Sequence, residues 1–207
     1  MNLKAALAVD PASAQAGCAG EWQSQLERES SPAASVLDEV RLCAAGISQV
    51  EPTRLITRAL AMSGTPMTVG DLREQVMRAA ADLIAEEPAY SHLACRLLSR
   101  CIDREVTGQG VHGFLRSVQL GHDLGRVNQR LLDFVTANAE TLSAAIDADR
   151  SDSLEYLGLR TLYERYLHRC HVNGPVCETP QYFWMRIAAS LIDNAADAIE
   201  MYRLFSS

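Results

Sequence analysis

From Val36 to Phe205, apolar residues recur three and four positions apart, and residues that start or end helices lie between the runs. Apolar residues at this spacing form one face of an amphipathic helix, whereas a half-buried strand needs strict alternation. We find no heptad run and no internal repeat in the sequence. The pattern therefore predicts an all-α fold, in which successive helices each bury one face.

Local signals predict where several of these helices begin and end. Gly46 is placed to end the first helix, and Pro52 fits the first turn of the second. Thr68 followed by Asp71 predicts a capped helix start, and Thr179-Pro180 predicts another. The last two helices are expected to bury Phe183, Trp184, Ile187, Ala188 and Leu191, followed by Ala195, Ala198, Ile199, Tyr202 and Phe205.

One short segment departs from the helical pattern. Residues 166–172 are followed by Asn173-Gly174, a pair that supplies the positive φ angles of a tight two-residue turn. Pro175 on the return arm indicates an exposed edge, because proline cannot donate to a neighbouring strand. We therefore expect one short β-hairpin in a mainly helical protein.

Composition excludes several functions. The net charge of -7 argues against a general nucleic-acid-binding protein, which needs a basic surface. No apolar run approaches the ~20 residues that cross a bilayer, and the N-terminus is a poor signal peptide. We expect a cytoplasmic protein with no membrane or nucleic-acid partner. Residues 1–34 are rich in Ala and Ser and are predicted to be a flexible segment.

Two His and two Cys close together on the predicted hairpin raise the question of a zinc site. His168, Cys170, His171 and Cys177 have the ligand types of a tetrahedral site. Alternation along a strand places His171 on the face opposite His168 and Cys170, and the spacing matches no zinc signature. We therefore predict an exposed polar ribbon and no metal.

Charged clusters near helix ends have an alternative structural interpretation. Asp147, Asp149 and Asp152 beside Arg150 could support acid–base chemistry or a cation, but an ion-pair cluster is favoured. The residues Arg165, Arg186 and Glu178 are expected to form Arg–carboxylate pairs that tie the hairpin to the last helices. His112 and His122 each lie beside a glycine at a helix end, where a capping role is expected.

Several short motifs occur in the order found in one enzyme family: Asp149-Arg150, Tyr156-x-Gly158-Leu159, Arg165-Tyr166-Leu167, Glu178-Thr179-Pro180-Gln181 and Met185-Arg186. The series resembles the N-terminal helical region of the class I ribonucleotide reductase large subunit. Upstream, residues 76–84 and 88–97 resemble the body of an ATP-cone, the allosteric domain of that family. The resemblance implies a degenerate cone-like helical domain over residues 35–107 and the reductase N-terminal helical domain over 108–207.

The resemblance implies an allosteric nucleotide site at Thr68, Arg73, Arg100 and Arg104, with ATP or dATP as effector and no other cofactor in this chain. The resemblance is incomplete here, because the strand pair with Lys-Arg-Asp-Gly that opens a typical cone is missing. A triphosphate needs converging cations and backbone donors, which three arginines supply only in part.

The resemblance also implies a role in deoxyribonucleotide synthesis for DNA replication. The family's reactive cysteines lie beyond the point equivalent to Ser207, so this chain is expected to be a non-catalytic part of an oxidoreductase. The expected partners are a barrel-containing reductase chain and the small radical-generating subunit. Helices at 183–192 and 195–205 would pack on that barrel and expose Trp184, Tyr202 or Phe205 in an apolar patch. The alternative is a stand-alone regulatory or binding protein derived from the helical region.

Overall fold

The computed structural model describes residues 32–62 and 68–207, and these residues form an all-α fold. Most of the segment 1–34, which is predicted to be flexible, lies outside this description. Ten α-helices follow one another: α1 Pro32–Ala44, α2 Pro52–Ala61, α3 Val69–Leu83, α4 Tyr90–Gly108, α5 Phe114–Asp123, α6 Gln129–Ala137, α7 Ala139–Ala145, α8 Tyr156–Arg165, α9 Pro180–Leu191 and α10 Ala195–Phe205. A 3-10 helix, η1, covers Ala148–Ser153 between α7 and α8.

Most local start and stop signals act as predicted. Pro52 lies in the first turn of α2, and Gly46 takes a φ of 76° two residues after α1 ends. The Thr68 hydroxyl accepts a hydrogen bond from the Asp71 backbone N–H, and the Asp71 carboxylate accepts one from the Thr68 N–H. Thr179 caps α9 ahead of Pro180. These contacts span a few residues, so the sequence specifies them directly.

The chain divides into two compact units between Leu97 and Leu98, within α4. In the first unit, α1, α2 and α3 pack on one another in all three pairings. Their buried residues include Leu37, Val40, Leu55, Ile56, Leu72 and Val76. The predicted functional ranges 35–107 and 108–207 remain predictions.

Arg96 completes the end of α1 in this first unit. Its guanidinium donates to the carbonyl oxygens of Cys43 and Ala45, at 2.9 and 2.8 Å. The last carbonyls of a helix have no partner within the helix, and a cation there also opposes the negative end of the helix dipole. One arginine from α4 thus stabilises the C-terminus of α1.

In the second unit, α5, α6, α7, α9 and α10 surround one apolar core. The core residues are Phe114, Val118, Val127, Leu131, Val135, Leu142, Met185, Ala188, Ala189, Ala198 and Tyr202. The alanines allow α9 and α10 to approach closely, and these two helices share an extensive contact. The core therefore fixes the first turn of α9, where the polar residues described below converge.

Two predictions for the last helices are wrong. Leu191 is 64% exposed, because the buried face of α9 runs through Met185, Ala188 and Ala189. Tyr202 is completely buried, as the periodicity of α10 predicts, so it is excluded from the apolar patch expected at Trp184, Tyr202 or Phe205. Trp184 and Phe205 are half-buried, with ring centroids 6.1 Å apart.

The predicted hairpin is reduced to a ribbon of residues 168–177 with a single antiparallel bridge between Arg169 and Val176. The tight turn includes Asn173 at φ 58°, and the Gly174 N–H donates to the His171 carbonyl. Gly174 does not have a positive φ, so the turn is centred one residue earlier than the Asn-Gly pair predicts. In the part of the chain that the structure describes, no helix could cross a membrane.

Candidate functional site

The best-defined polar centre of the second unit is the carboxylate of Glu178, just before α9. Arg186, two turns into α9, donates to both oxygens of this carboxylate, at 2.8 and 2.9 Å. The His168 backbone N–H donates to the same carboxylate at 2.8 Å. Because Glu178 is 1% exposed, its charge depends on these donors for compensation. The predicted tie between the ribbon and α9 is therefore confirmed for Glu178 and Arg186.

Arg169, which the sequence analysis did not single out, holds the ribbon instead of Arg165. Its guanidinium donates to the carbonyls of Gly174 and Tyr163 and lies 4.6 Å from the centroid of the Tyr163 ring. Arg165 is exposed at the end of α8 and forms no ion pair with the described residues. The sequence offered one signal for this role: Arg169 lies on a predicted hairpin arm, where it pairs with Val176.

Glu105 on α4 accepts hydrogen bonds from two elements that follow it in the chain. The Tyr163 hydroxyl donates at 2.8 Å and the Val176 backbone N–H at 2.9 Å. Burial raises the pKa of Tyr163, and the hydrogen bond to Glu105 raises it further. The phenol therefore stays protonated and acts as a hydrogen-bond donor, so Glu105 joins α4, α8 and the ribbon.

A second polar cluster joins η1 to α10. The Arg150 guanidinium donates to the Arg203 carbonyl and the Ser206 hydroxyl, at 3.0 and 2.7 Å, and lies 3.7 Å from the Asp147 carboxylate. Asp149 adds only a backbone N–H, which donates to Asp147. The ion-pair interpretation of this cluster is thus confirmed for Arg150 and Asp147. Of the Asp152 side chain the structure gives no description.

Tyr202 connects this cluster to α9. Its hydroxyl donates to the Gln181 side-chain oxygen at 2.7 Å and accepts from the Asp147 backbone N–H at 3.0 Å. The Gln181 amide in turn donates to the Ser151 hydroxyl at 3.2 Å. All three side chains are buried, so each polar group obtains a partner inside the protein. Sequence reasoning missed this chain, whose members lie 21 to 55 residues apart.

A cavity of about 400 Å³ opens beside these residues. Its wall includes Asp103, Phe114, Gln181 and Tyr182, together with hydroxyls from Ser99, Ser143, Ser151 and Thr179. Burial raises the pKa of Tyr182, and the negative charge of Asp103 adds to this effect. The lining contains no cysteine and no arginine, and His112 is the basic residue on its wall.

His168 lies half-buried at the base of the ribbon. Burial lowers the pKa of its imidazole, while the Glu178 carboxylate opposes that change. Its ring lies against α5, where Gly121 leaves room for it. A neutral imidazole fits this environment, in which Arg186 and Arg126 add positive charge.

The cysteines of the described residues differ in burial and in hydrogen-bond partners. Cys43, Cys95 and Cys177 are buried, and burial raises the pKa of Cys177 to about 12. Cys101 donates to Glu105, and Cys170 donates to Gln109. Within residues 32–62 and 68–207, no three His, Cys, Asp or Glu side chains lie together as a metal-binding set.

The two histidines near α5 do not act as side-chain caps at its start. Gly113 is the N-cap of α5, and it provides no side-chain hydrogen bond, so the exposed His112 beside it does not close the helix. His122 lies in the last turn, where a basic residue suits the negative end of the helix dipole. Neither has a carboxylate positioned for general base catalysis among the described contacts.

The residues expected at a nucleotide site lie on two different helices. On α3, the Thr68 hydroxyl is held in the capping box, and Arg73 donates to Glu39 at 2.8 Å. On α4, Arg100 and Arg104 are exposed one turn apart and share a face of the helix. The structure thus groups these residues in two pairs, each on its own helix.

The fold and the buried network define an all-α domain in which polar residues join helices together, and no metal-binding set of three side chains is present among the described residues. Residues 152–207 match the protein family described as ribonucleotide reductase, all-alpha domain. The resemblance of this part of the chain to the N-terminal region of the ribonucleotide reductase large subunit is confirmed.

Individual relatives agree with this assignment. The chain is 34% identical over 146 residues to the ribonucleoside-diphosphate reductase subunit alpha of Chlamydia trachomatis, covering 64% of this chain and 13% of that protein. It is 29% identical over 168 residues to the ribonucleoside-diphosphate reductase subunit alpha of Enterobacteria phage T4. This match covers 77% of this chain and 22% of that protein. It is 27% identical over 164 residues to the ribonucleoside-diphosphate reductase large subunit of Danio rerio. This match covers 76% of this chain and 20% of that protein. The chain thus spans about a fifth or less of the length of these relatives.

Proposed function

We propose that this chain is the non-catalytic N-terminal portion of a ribonucleoside-diphosphate reductase large subunit and acts as a scaffold with a separate barrel-containing chain. The observation that carries the proposal is the use of the family motifs. Contacts of Asp149-Arg150 hold η1 together and join it to α10. Contacts of Glu178 with Arg186 and with the His168 backbone join the ribbon to α9. Because these motif residues hold helices together, they support a structural contribution to the enzyme.

The exposed apolar side chains of the same unit support contact with another chain. Leu157, Leu191 and Leu204 are 75%, 64% and 71% exposed on α8, α9 and α10. Large aliphatic side chains in water are unfavourable, and burial of each would contribute about 1.5–3 kcal/mol. These three side chains are the contact points that we propose for the barrel-containing partner.

The test is reconstitution of the enzyme. The chain is mixed with a separately expressed barrel-containing reductase chain and the small radical-generating subunit, and conversion of a ribonucleoside diphosphate to its deoxy product is measured. We expect product only when all three are present. Inhibition of an already active partner would instead favour the stand-alone regulatory protein.

A pair of variants links the assay to the proposed surface. Leu204→Glu should weaken co-purification with the barrel chain, because it places a carboxylate where apolar burial is expected. Val172→Glu is the matched control, since Val172 is 85% exposed at the ribbon turn and is not one of the three proposed contacts. Equal behaviour of the two variants would exclude this surface.

We also propose ATP or dATP as an allosteric effector, with Arg100 and Arg104 as the phosphate contacts. Their exposure and one-turn spacing support this choice. Thr68 and Arg73 are bonded to Asp71 and Glu39, so no phosphate contact is assigned to them. A bound nucleotide should raise the melting temperature in proportion to the logarithm of its concentration. The Arg100→Gln/Arg104→Gln variant should abolish the rise, whereas Arg116→Gln, another exposed arginine, should keep it.

A further inference from the structure

The ribbon places two cysteines side by side. Cys170 donates its backbone N–H to the Pro175 carbonyl at 3.0 Å, and Cys177 donates to the His168 carbonyl at 2.8 Å. Between them, Arg169 and Val176 form the antiparallel bridge. Because side chains alternate along each arm, residues 170 and 177 point to the face opposite Arg169 and Val176. The two thiols are therefore diagonal neighbours on one face.

The two thiols lie close enough for Cys170 to affect the protonation of Cys177. Each thiol has an acceptor of its own: Gln109 Oε1, 3.4 Å from Cys170 Sγ, and the His168 carbonyl oxygen, 3.3 Å from Cys177 Sγ. Diagonal neighbours have Cβ atoms about 7 Å apart. A disulfide needs these atoms within about 4.5 Å, so the two arms must move together to form the bond.

The two cysteines differ in access. Cys170 is half-buried, whereas Cys177 is 1% exposed. Burial and the neighbouring Cys170 raise the pKa of the Cys177 thiol to about 12. An oxidant from solvent therefore meets Cys170 first, with Cys177 placed behind it as the resolving thiol.

We propose that Cys170 and Cys177 form a reversible disulfide when the protein meets a peroxide. The Cys170 thiolate attacks one oxygen of the peroxide, the O–O bond breaks, and Cys170 becomes a sulfenic acid with hydroxide as the leaving group. The Cys177 sulfur then attacks the Cys170 sulfur, loses its proton, and displaces water as the S–S bond forms. One peroxide is reduced to two waters, and two thiols are oxidised.

The ribbon is built to accommodate this bond. Its two arms are paired through the Arg169–Val176 bridge and joined by the turn at Asn173, so the bond forms within one short segment. The bond replaces the thiol hydrogen bonds to Gln109 and to the His168 carbonyl. Oxidation therefore alters the contacts of the segment that supplies two donors to the Glu178 and Glu105 network.

Peptide mapping tests the proposal directly. The full chain in a Cys18→Ser background is treated with hydrogen peroxide, alkylated, and digested with trypsin. Cleavage after Arg169 and after Arg186 releases one tryptic peptide that contains both cysteines. We expect this peptide to be lighter by two hydrogen atoms and to carry no alkyl group. Dithiothreitol should restore two alkylation sites.

Variants make the assignment specific. Cys170→Ser should leave Cys177 open to alkylation after peroxide treatment and unfolding. Cys101→Ser is the matched control, because Cys101 is a half-buried cysteine on α4 that donates to Glu105, and this variant should keep the cross-linked peptide. Circular dichroism of each variant checks that it folds. The peptide mapping of the Cys18→Ser chain tests the disulfide even if one of these two variants fails to fold.

Three results would overturn the proposal. The first is full alkylation of both cysteines after peroxide treatment. The second is recovery of Cys170 as a sulfinic acid with Cys177 still reduced, and the third is linkage of either cysteine to a different thiol.

Discussion

The guanidinium of Arg186 donates two hydrogen bonds to the carboxylate of Glu178, and the side chains are only 12% and 2% exposed. The ion pair is bidentate, and it joins Glu178, just before α9, to Arg186, two turns into that helix. Because the His168 N–H donates to the same carboxylate, the pair also fixes the base of the ribbon. Removal of either partner would leave an uncompensated buried charge.

Glu178→Ala should therefore lower the free energy of unfolding by about 3–5 kcal/mol, measured by urea denaturation. Glu164→Ala is the matched control, because its ion pair with Arg160 is solvent-exposed and should contribute only about 0.2–0.5 kcal/mol. A double-mutant cycle with Arg186→Met isolates the coupling between the two groups. Equal destabilisation by Glu178→Ala and Glu164→Ala would contradict this account.

Gly121→Ala should destabilise the second unit. A Cβ atom there would lie 2.9 Å from Val127 Cγ2 and 3.4 Å from His168 Nδ1, so α5 would have to move away from its neighbours. We expect a loss of about 1–3 kcal/mol. Gly158→Ala on α8 is the control, because its Cβ meets nothing within 4 Å and alanine favours the helix by about 0.5–1 kcal/mol. The two substitutions should shift the thermal midpoint in opposite directions.

Tyr202→Phe removes the hydroxyl that joins α10 to Gln181 and to the Asp147 backbone. The buried partners would lose their hydrogen bonds, so a destabilisation of about 1–3 kcal/mol is expected. Tyr166→Phe should change stability by no more than about 0.5 kcal/mol, since Tyr166 is 55% exposed. Chemical denaturation of both variants measures the difference, and a neutral Tyr202→Phe would show that the hydroxyl is dispensable.

His168 should make stability fall as the solution becomes acidic. Burial lowers the pKa of the folded imidazole below the ordinary value of 6.5, so the unfolded chain binds a proton first. The contribution of this group is complete above pH 6.5 and is lost as the pH drops from there through the folded pKa. His168→Gln should flatten the dependence of stability on pH in this window. His171→Gln, at an exposed position, should leave it unchanged, and an identical profile for all three proteins would refute the assignment.

The sequence predicted best what depends on neighbouring residues. The capping box of Thr68 and Asp71, the Pro52 start and the Thr179 cap each need contacts over one turn, and all are present. The Glu178–Arg186 pair was also predicted, because a long arginine side chain and a carboxylate at the start of the same helix form a favourable pair.

Contacts that depend on tertiary packing were missed or misplaced. Nothing local indicates that the Tyr202 hydroxyl bonds to Gln181 and to the Asp147 backbone, or that Arg169 rather than Arg165 holds the ribbon. Leu191 has the apolar character of a core residue, but α9 turns a different face to α10. Helical periodicity identifies an amphipathic helix more reliably than it fixes the rotation of that helix about its axis.

The hydroxyl of Tyr202 bonds to a backbone group 55 residues earlier in the chain, and Arg150 closes the following turn. A helix held at its far end in this way cannot fray one turn at a time. Its amide hydrogens should therefore exchange with deuterium only when the whole second unit opens, at the same slow rate as those of α9.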